Sequence, residues 1–222
     1  MVTLWIPRQI DFLGGMDWGF NGPGVILWAA AMPNGALHIA REWKFTELAD
    51  EEIAAGFHAR TKQLGVTVRY VAGDWSMWIR DGRSATRGQS RAETLIRAGV
   101  PLRKAENARP DGWARMHSWL RVPTNDAGEP AGPPLLTVDT SCVYLRRTIP
   151  TQRSAKNDPD DVDTTGDDHG VDALRYLLMS RPSPTQLRAK METPPKGTAG
   201  ALLAELRGSL GRIAVLGAGN VR

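Results

Sequence analysis

The sequence predicts an α/β protein built on a mixed sheet, an antiparallel three-strand meander followed by parallel strands, with helices on both faces. Three observations carry this. Extended apolar segments separated by tight-turn signals open the chain. From residue 50 onward the hydrophobic period alternates between helical and extended. The composition, 41% hydrophobic and 23% charged over 222 residues, is that of a globular protein, one domain or a domain with a tail. It excludes wholesale disorder and collagen, and the single Cys142 excludes a disulfide scaffold. No stretch nears the roughly 20 apolar residues of a spanning helix, and the first ten residues hold no apolar run of signal-peptide length. A soluble, unsecreted protein of a reducing interior is expected.

The first strand should end near Asp17, because the turn Gly19-Phe20-Asn21-Gly22-Pro23-Gly24 is too rich in Gly and Pro to continue it. Residues 25–31 form an unbroken apolar run. Asn34-Gly35 supplies a tight turn, and 37–43 restores an extended segment. Asp50 is placed to cap a helix over 50–63, with Glu51 and Glu52 in its first turn, Ile53, Phe57 and Leu64 on one face, and Gly65 past its end. A strand over 66–71 then runs into Gly73-Asp74. Beyond it the pattern predicts a helix over 89–98 closed by Gly99, a strand at Leu102, a helix over 112–120 and a strand over 135–138. Ser141 is placed to cap a helix through 147, and 171–179 is a strongly apolar helix. Pro182, Pro184, Pro194, Pro195 and Gly197 mark a linker, followed by an amphipathic segment over 201–216, so the expected division is a domain over 1–181 and a basic tail over 182–222.

The net charge of +4 conceals a segregation. Residues 188–222 hold six Lys and Arg against two acids, and the body before them is balanced. Within that body, 80–121 holds ten Lys and Arg against four acids, while 156–172 holds seven Asp against one Lys. Charge runs are commonly solvated surface. A basic segment beside an acidic cluster is also what a protein needs to grip phosphates and hold divalent cations.

Three acidic features sit where elements end. Asp17 closes the first strand, Asp74 closes the fourth, and Asp168 with Asp172 opens the last helix. Taken singly, each has a plain structural reading as a strand-ending turn or a helix cap. If the first and fourth strands are neighbours and the helix lies across their ends, three carboxylates converge. Such a group needs a cation, and carboxylate oxygens suit Mg²⁺ or Mn²⁺. Two such ions about 4 Å apart support hydrolysis of a phosphodiester. Asp161, Asp163, Thr165, Gly166 and Asp172 also fall at calcium-loop positions, but Asp replaces the bidentate Glu and Asn157-Asp158-Pro159 opposes the entering helix, so that reading is rejected. His169 reads as a neighbour of the site, and no zinc spacing is present.

The run Asp163-Thr164-Thr165-Gly166-Asp167-Asp168-His169-Gly170-Val171-Asp172-Ala173-Leu174-Arg175-Tyr176 resembles the Asp-His-x-x-Asp-Ala-x-Arg-Tyr signature of tailed-phage terminase large subunits, near the end of their nuclease domain. Gly15-Met16-Asp17-Trp18-Gly19 resembles the family's first catalytic strand, and Tyr70-Val71-Ala72-Gly73-Asp74 its second acidic position. The resemblance implies a ribonuclease H-like fold and an endonuclease that cuts double-stranded viral DNA concatemers during packaging with little sequence preference. It implies Mg²⁺ or Mn²⁺, two ions with DNA bound, held by Asp17, Asp74 and Asp168, with Asp17 bridging both. Asp167 and Asp172 are outer-shell or alternate ligands, and Arg175 and Tyr176 pack the helix. The implied partners are a packaging ATPase domain, a small terminase subunit and a portal, in the host cytoplasm.

One departure is large: no Gly-x-x-x-x-Gly-Lys-Ser/Thr loop is present, so ATP hydrolysis is not expected of this chain. Arg80, Arg83, Arg87, Arg91 and Arg97 are placed to track the DNA backbone without reading bases. Of Trp75, Trp78, Trp113 and Trp119, three are expected in the core. The competing readings are a Holliday-junction resolvase or transposase-like nuclease of the same fold, and a non-catalytic packaging or docking module.

Overall fold

The computed structural model describes residues 10–19, 22–80, 88–155, 158–162 and 166–187. The chain divides into two units, Met1–Pro182 and Ser183–Arg222. The amphipathic segment over 201–216 lies outside the described residues.

Three antiparallel strands come first: β1 (Phe12–Asp17), β2 (Gly24–Ala31) and β3 (Leu37–Phe45). β4 (Val68–Gly73) then joins the free side of β1 in parallel, β5 (Leu102–Lys104) adds to β4, and β6 (Leu136–Val138) adds to β3, both parallel. The order β5-β4-β1-β2-β3-β6 buries β1 and β2 at the centre. Their unbroken apolar runs follow from that position, since a central strand covered on both faces has no solvent side.

One face carries α1 (Asp50–Leu64) and α2 (Arg91–Arg97), packed on Phe12, Met16, Ile26, Trp28 and Val71. Trp28 stacks on Phe57 at 5.6 Å, and its indole N–H donates to Thr61 at 2.9 Å. Covering the other face is α5 (His169–Met179), in which every residue from Gly170 to Leu178 is buried. An apolar helix of that kind belongs in a core. It lies directly on β1: a Cβ on Gly15 would sit 2.1 Å from the Ala173 carbonyl oxygen, so only glycine admits this approach. α3 (Arg109–Leu120) packs beside α5. Among the described residues no helix is long and apolar enough to cross a membrane.

The helix ends correct several expectations. α1 is entered from Ala49, not capped by Asp50: the Glu52 carboxylate accepts from the Ala49 N–H at 2.8 Å, while Asp50 faces Arg91 at 3.3 Å. Its other end matches the expectation, with Gly65 in the left-handed region at φ 65°. α2 begins two residues later than expected because Ser90 and Glu93 cap each other reciprocally. α3 begins earlier, at Arg109, with Pro110 preset for a first turn. Ser141 does not cap α4 (Val143–Thr148); it bonds back to Asp139 at 2.6 Å. The first free N–H groups of α4 come from Tyr144 and Leu145, and both donate to Glu42 of β3, at 2.7 and 2.8 Å. The Asp-rich stretch holds a hairpin that the sequence pattern conceals, β7 (Ser154–Ala155) with β8 (Asp158–Val162), since Asp is depleted in strands.

Candidate metal centre

β1 and β4 run in parallel with Met16 opposite Gly73, and the Asp74 N–H donates to the Met16 carbonyl at 3.0 Å. Asp17 and Asp74 therefore lie at the same end of adjacent central strands. The alternation of β1 sends Phe12 and Met16 to the α1 face and Asp17 to the α5 face. There the N-terminus of α5 meets it: His169 Nδ1 lies 2.8 Å from Asp17 Oδ2. Asp168 is the cap residue of α5, and Asp172 follows one turn later.

Asp17, Asp168 and Asp172 are all buried. Burial pushes the Asp17 carboxyl up to about 7; the bond from His169 opposes this, and the charges of Asp172 and Asp74 add to it. Asp168 is raised by burial and by Asp172. The bond to Asp17 is the main cause that raises His169. Beneath them the Tyr176 phenol is raised by burial. The carboxylates that act on this phenol are Asp74, Asp172 and Asp17.

The carboxylates differ in how they are neutralised. Asp172 accepts from Arg175 Nε at 2.9 Å and has Arg109 at 3.7 Å, so two guanidinium groups compensate it. Arg175 is fully buried, its plane 5.3 Å from the Trp113 ring and 4.5 Å from that of Tyr176. Asp167 turns the other way, to the Tyr144 hydroxyl and to Arg147 at 3.3 Å. Asp74 accepts from the Ser76 backbone N–H at 3.1 Å and from the Ser76 hydroxyl, capping the 3₁₀ turn Trp75–Trp78. Asp168 makes no side-chain cap bond, and among the described residues Asp17 bonds His169.

In this arrangement no three His, Cys, Asp or Glu side chains among the described residues already form a cage for an ion. Asp17 and Asp74 end adjacent strands at one end of the sheet, and Asp168 caps the helix whose next residue, His169, bonds Asp17. The donor set of the three carboxylates still fits a hard cation: oxygen-only, with Asp17 and Asp168 buried and Asp74 half-buried. Cys142 is buried, and burial pushes its thiol up to about 12.

The basic residues are distributed unevenly. Arg80 is exposed and pairs with Glu93 at 2.5 Å. Arg91 is half-buried between Asp50 and the Trp18 ring, 3.7 Å away, which makes it a fold contact. Arg97 bonds Gln89 at 2.9 Å. Arg83 and Arg87 lie outside the described residues, as do Asp81, Asp163 and Thr165. Asp161 is held by Arg109 at 3.1 Å and by the Trp113 indole at 2.8 Å, so its oxygens serve the hairpin and not a calcium loop. Trp113 and Trp119 are buried and Trp78 packs against the core, whereas Trp75 is exposed. Sequence reasoning missed the bonding of His169 to Asp17 and the two-arginine neutralisation of Asp172; the Arg three residues after Asp172 was the one available signal.

No family model matches the sequence, and no curated protein matches it. Solved structures do. The chain is similar to the large terminase of a thermophilic bacteriophage, with a TM-score of 0.56 and 17% identity over 79% of this chain and 41% of that one. It is similar to the nuclease domain of the P22 large terminase, with a TM-score of 0.58 and 16% identity over 83% of this chain and 90% of that domain. A third match is the large terminase nuclease of the thermophilic phage G20c with bound cobalt, with a TM-score of 0.53 and 13% identity over 78% of this chain and 82% of that one. The chain thus spans about two-fifths of the first of these terminases. Its six-strand mixed sheet, with the meander first and helices on both faces, is the ribonuclease H-like fold, as expected.

Proposed function

We propose that this chain is a divalent-metal-dependent endonuclease that cuts double-stranded DNA concatemers during viral genome packaging. The observation that supports the reading is the pairing of Asp17 and Asp74 at the ends of adjacent parallel strands, with His169 from the start of α5 bonded to Asp17 and burial raising Asp17 to about 7. A fold shared with terminase nucleases that span the same domain supports it. In this reading residues 1–181 are the nuclease and 182–222 a basic linker and tail, working with a packaging ATPase domain, a small terminase subunit and a portal.

Asp17, Asp74 and Asp168 would hold Mg²⁺ or Mn²⁺, which when bound supplies Lewis-acid activation of water and stabilisation of the leaving oxygen. Around it the chain's own groups set the geometry. His169 fixes the Asp17 carboxyl through a hydrogen bond of 2.8 Å between Nδ1 and Oδ2. Ser76 orients Asp74. Arg175 and Arg109 already neutralise Asp172, which makes it a positioning residue that steadies the first turn of α5, and Asp167 anchors that turn to α4. Exposed cations such as Arg80 contact phosphate without reading bases.

The deciding experiment is plasmid cleavage by the purified chain with Mn²⁺, Mg²⁺, Ca²⁺ or EDTA, run beside Asp168→Asn. Cleavage with Mn²⁺ or Mg²⁺ that is lost in EDTA and in the variant is the expected result. The same cleavage by Asp168→Asn removes Asp168 from the mechanism, and no cleavage under any metal sinks the nuclease reading for this chain.

A further inference from the structure

The turn Trp75–Trp78 directly follows Asp74. It is anchored from within by the buried Met77 and by Trp78 against the core, and at its start by Asp74 itself. That anchoring leaves two large apolar side chains outside, Trp75 at 39% exposure and Ile79 at 51%. Beside them Lys104 ends β5 in register with Gly73, and its ammonium lies 6.0 Å from the centre of the Trp75 ring. Among the described residues Lys104 has no ion-pair partner, whereas its neighbour Arg103 is taken up by the Tyr70 ring and the Ser180 carbonyl. An exposed indole and a cation without an ion pair among the described residues thus stand beside Asp74, at the end of the sheet.

The acidic centre repels phosphates in the absence of cations, so a strand must be held from the rim. Lys104 has the charge to hold a phosphate there, and the indole has a flat apolar face of the size of a base. Stacking between an aromatic side chain and a base contributes about 1–3 kcal/mol and tolerates any sequence. In a closed duplex that face is hidden within the base stack.

We propose that Trp75 and Lys104 together grip one nucleotide flanking the scissile phosphate, the indole against an unpaired base and the ammonium on the adjoining phosphate. The contact makes the chain favour DNA whose base pairing is opened beside the cut. It rests on the nuclease reading above and adds to it a preference that phosphate contacts alone do not give.

The test is fluorescence anisotropy of the whole chain, with Ca²⁺, on a labelled duplex, the same duplex with a central mismatched bubble, and the single strand. The variants are Trp75→Ala, Trp75→Phe and Lys104→Gln, each first shown by thermal melting to be folded. Wild type should bind the bubble more tightly than the duplex. Trp75→Ala should lose roughly 5- to 100-fold on the bubble with little change on the duplex, and Trp75→Phe should recover most of it. Lys104→Gln should weaken both and reduce the salt slope by about one. Equal affinity of wild type and Trp75→Ala for the bubble, or equal losses on bubble and duplex, overturns the contact, and such a face would then suit a protein partner. An unchanged salt slope in Lys104→Gln removes the ammonium from it. Failure of the wild type to bind any of the three DNAs overturns the nuclease reading and the contact with it.

Discussion

Asp17 is costly to the fold in its ionised state, and that cost is measurable. Its folded value of about 7 exceeds its ordinary 3.8, so its contribution to stability is fully present at low pH and is lost as pH rises through 7. Asp17→Asn should therefore raise the melting temperature above pH 7, by several degrees if even about 2 kcal/mol of the penalty survives the loss of the histidine bond, and the gain should shrink toward pH 4. Melting curves across that range check it, and a variant less stable than wild type at pH 8 would show that the His169 bond outweighs burial. The same proton competes with the cation: calorimetric Mn²⁺ affinity should fall by about tenfold per pH unit below 7. The carboxylates themselves were legible in the sequence because Asp at the end of a strand or the start of a helix is visible without a fold. What was not legible is which of them is left needing charge, since the arginine of α3 that neutralises Asp172 comes from 63 positions away and only the folded chain brings it there.

Elements place those residues, and the weakest tolerance lies where α5 crosses β1. A methyl group on Gly15 meets the Ala173 backbone oxygen at 2.1 Å, and a main-chain atom cannot move aside as a rotamer would. Gly15→Ala should cost about 3 kcal/mol or more in urea unfolding and, by displacing the first turn of α5 from Asp17, reduce cleavage along with it. A variant of wild-type stability would mean that α5 can lift off the sheet. Removing the Glu42 carboxylate, which holds two free N–H groups of α4, should cost about 1–3 kcal/mol in Glu42→Ala. This contact also explains where element boundaries escaped the sequence. Apolar segments and the turn signals between them marked every strand of the main sheet, and Gly65 marked the end of α1. Ser141 looked like the cap of α4 because local chemistry favours it, but a glutamate about a hundred residues earlier takes that role. The β7–β8 hairpin escaped for a related reason: Arg109 and Trp113 stabilise an Asp-rich strand that has no propensity of its own.

At the scale of the whole molecule, charge sets how the chain meets a polyanion. With the body over 1–182 balanced, attraction must come from local cations, and their burial separates those that face DNA from those that hold the fold. The Arg80 side chain is 66% exposed and pairs with a glutamate in open water, a contact worth little and readily exchanged for a phosphate. The Arg91 side chain, 27% exposed, lies over Trp18 and against Asp50, joining α2 to α1. The two arginines should therefore separate cleanly. Arg80→Gln should leave the melting temperature unchanged and lower the slope of log affinity for duplex DNA against log salt by about one. Arg91→Gln should lower the melting temperature and leave that slope as it is. Anisotropy titrations at several salt concentrations, with a melting curve for each variant, decide between them: a shallower slope with intact stability in Arg91→Gln would place Arg91 on the DNA face and move the track toward the Trp18 side of the sheet end.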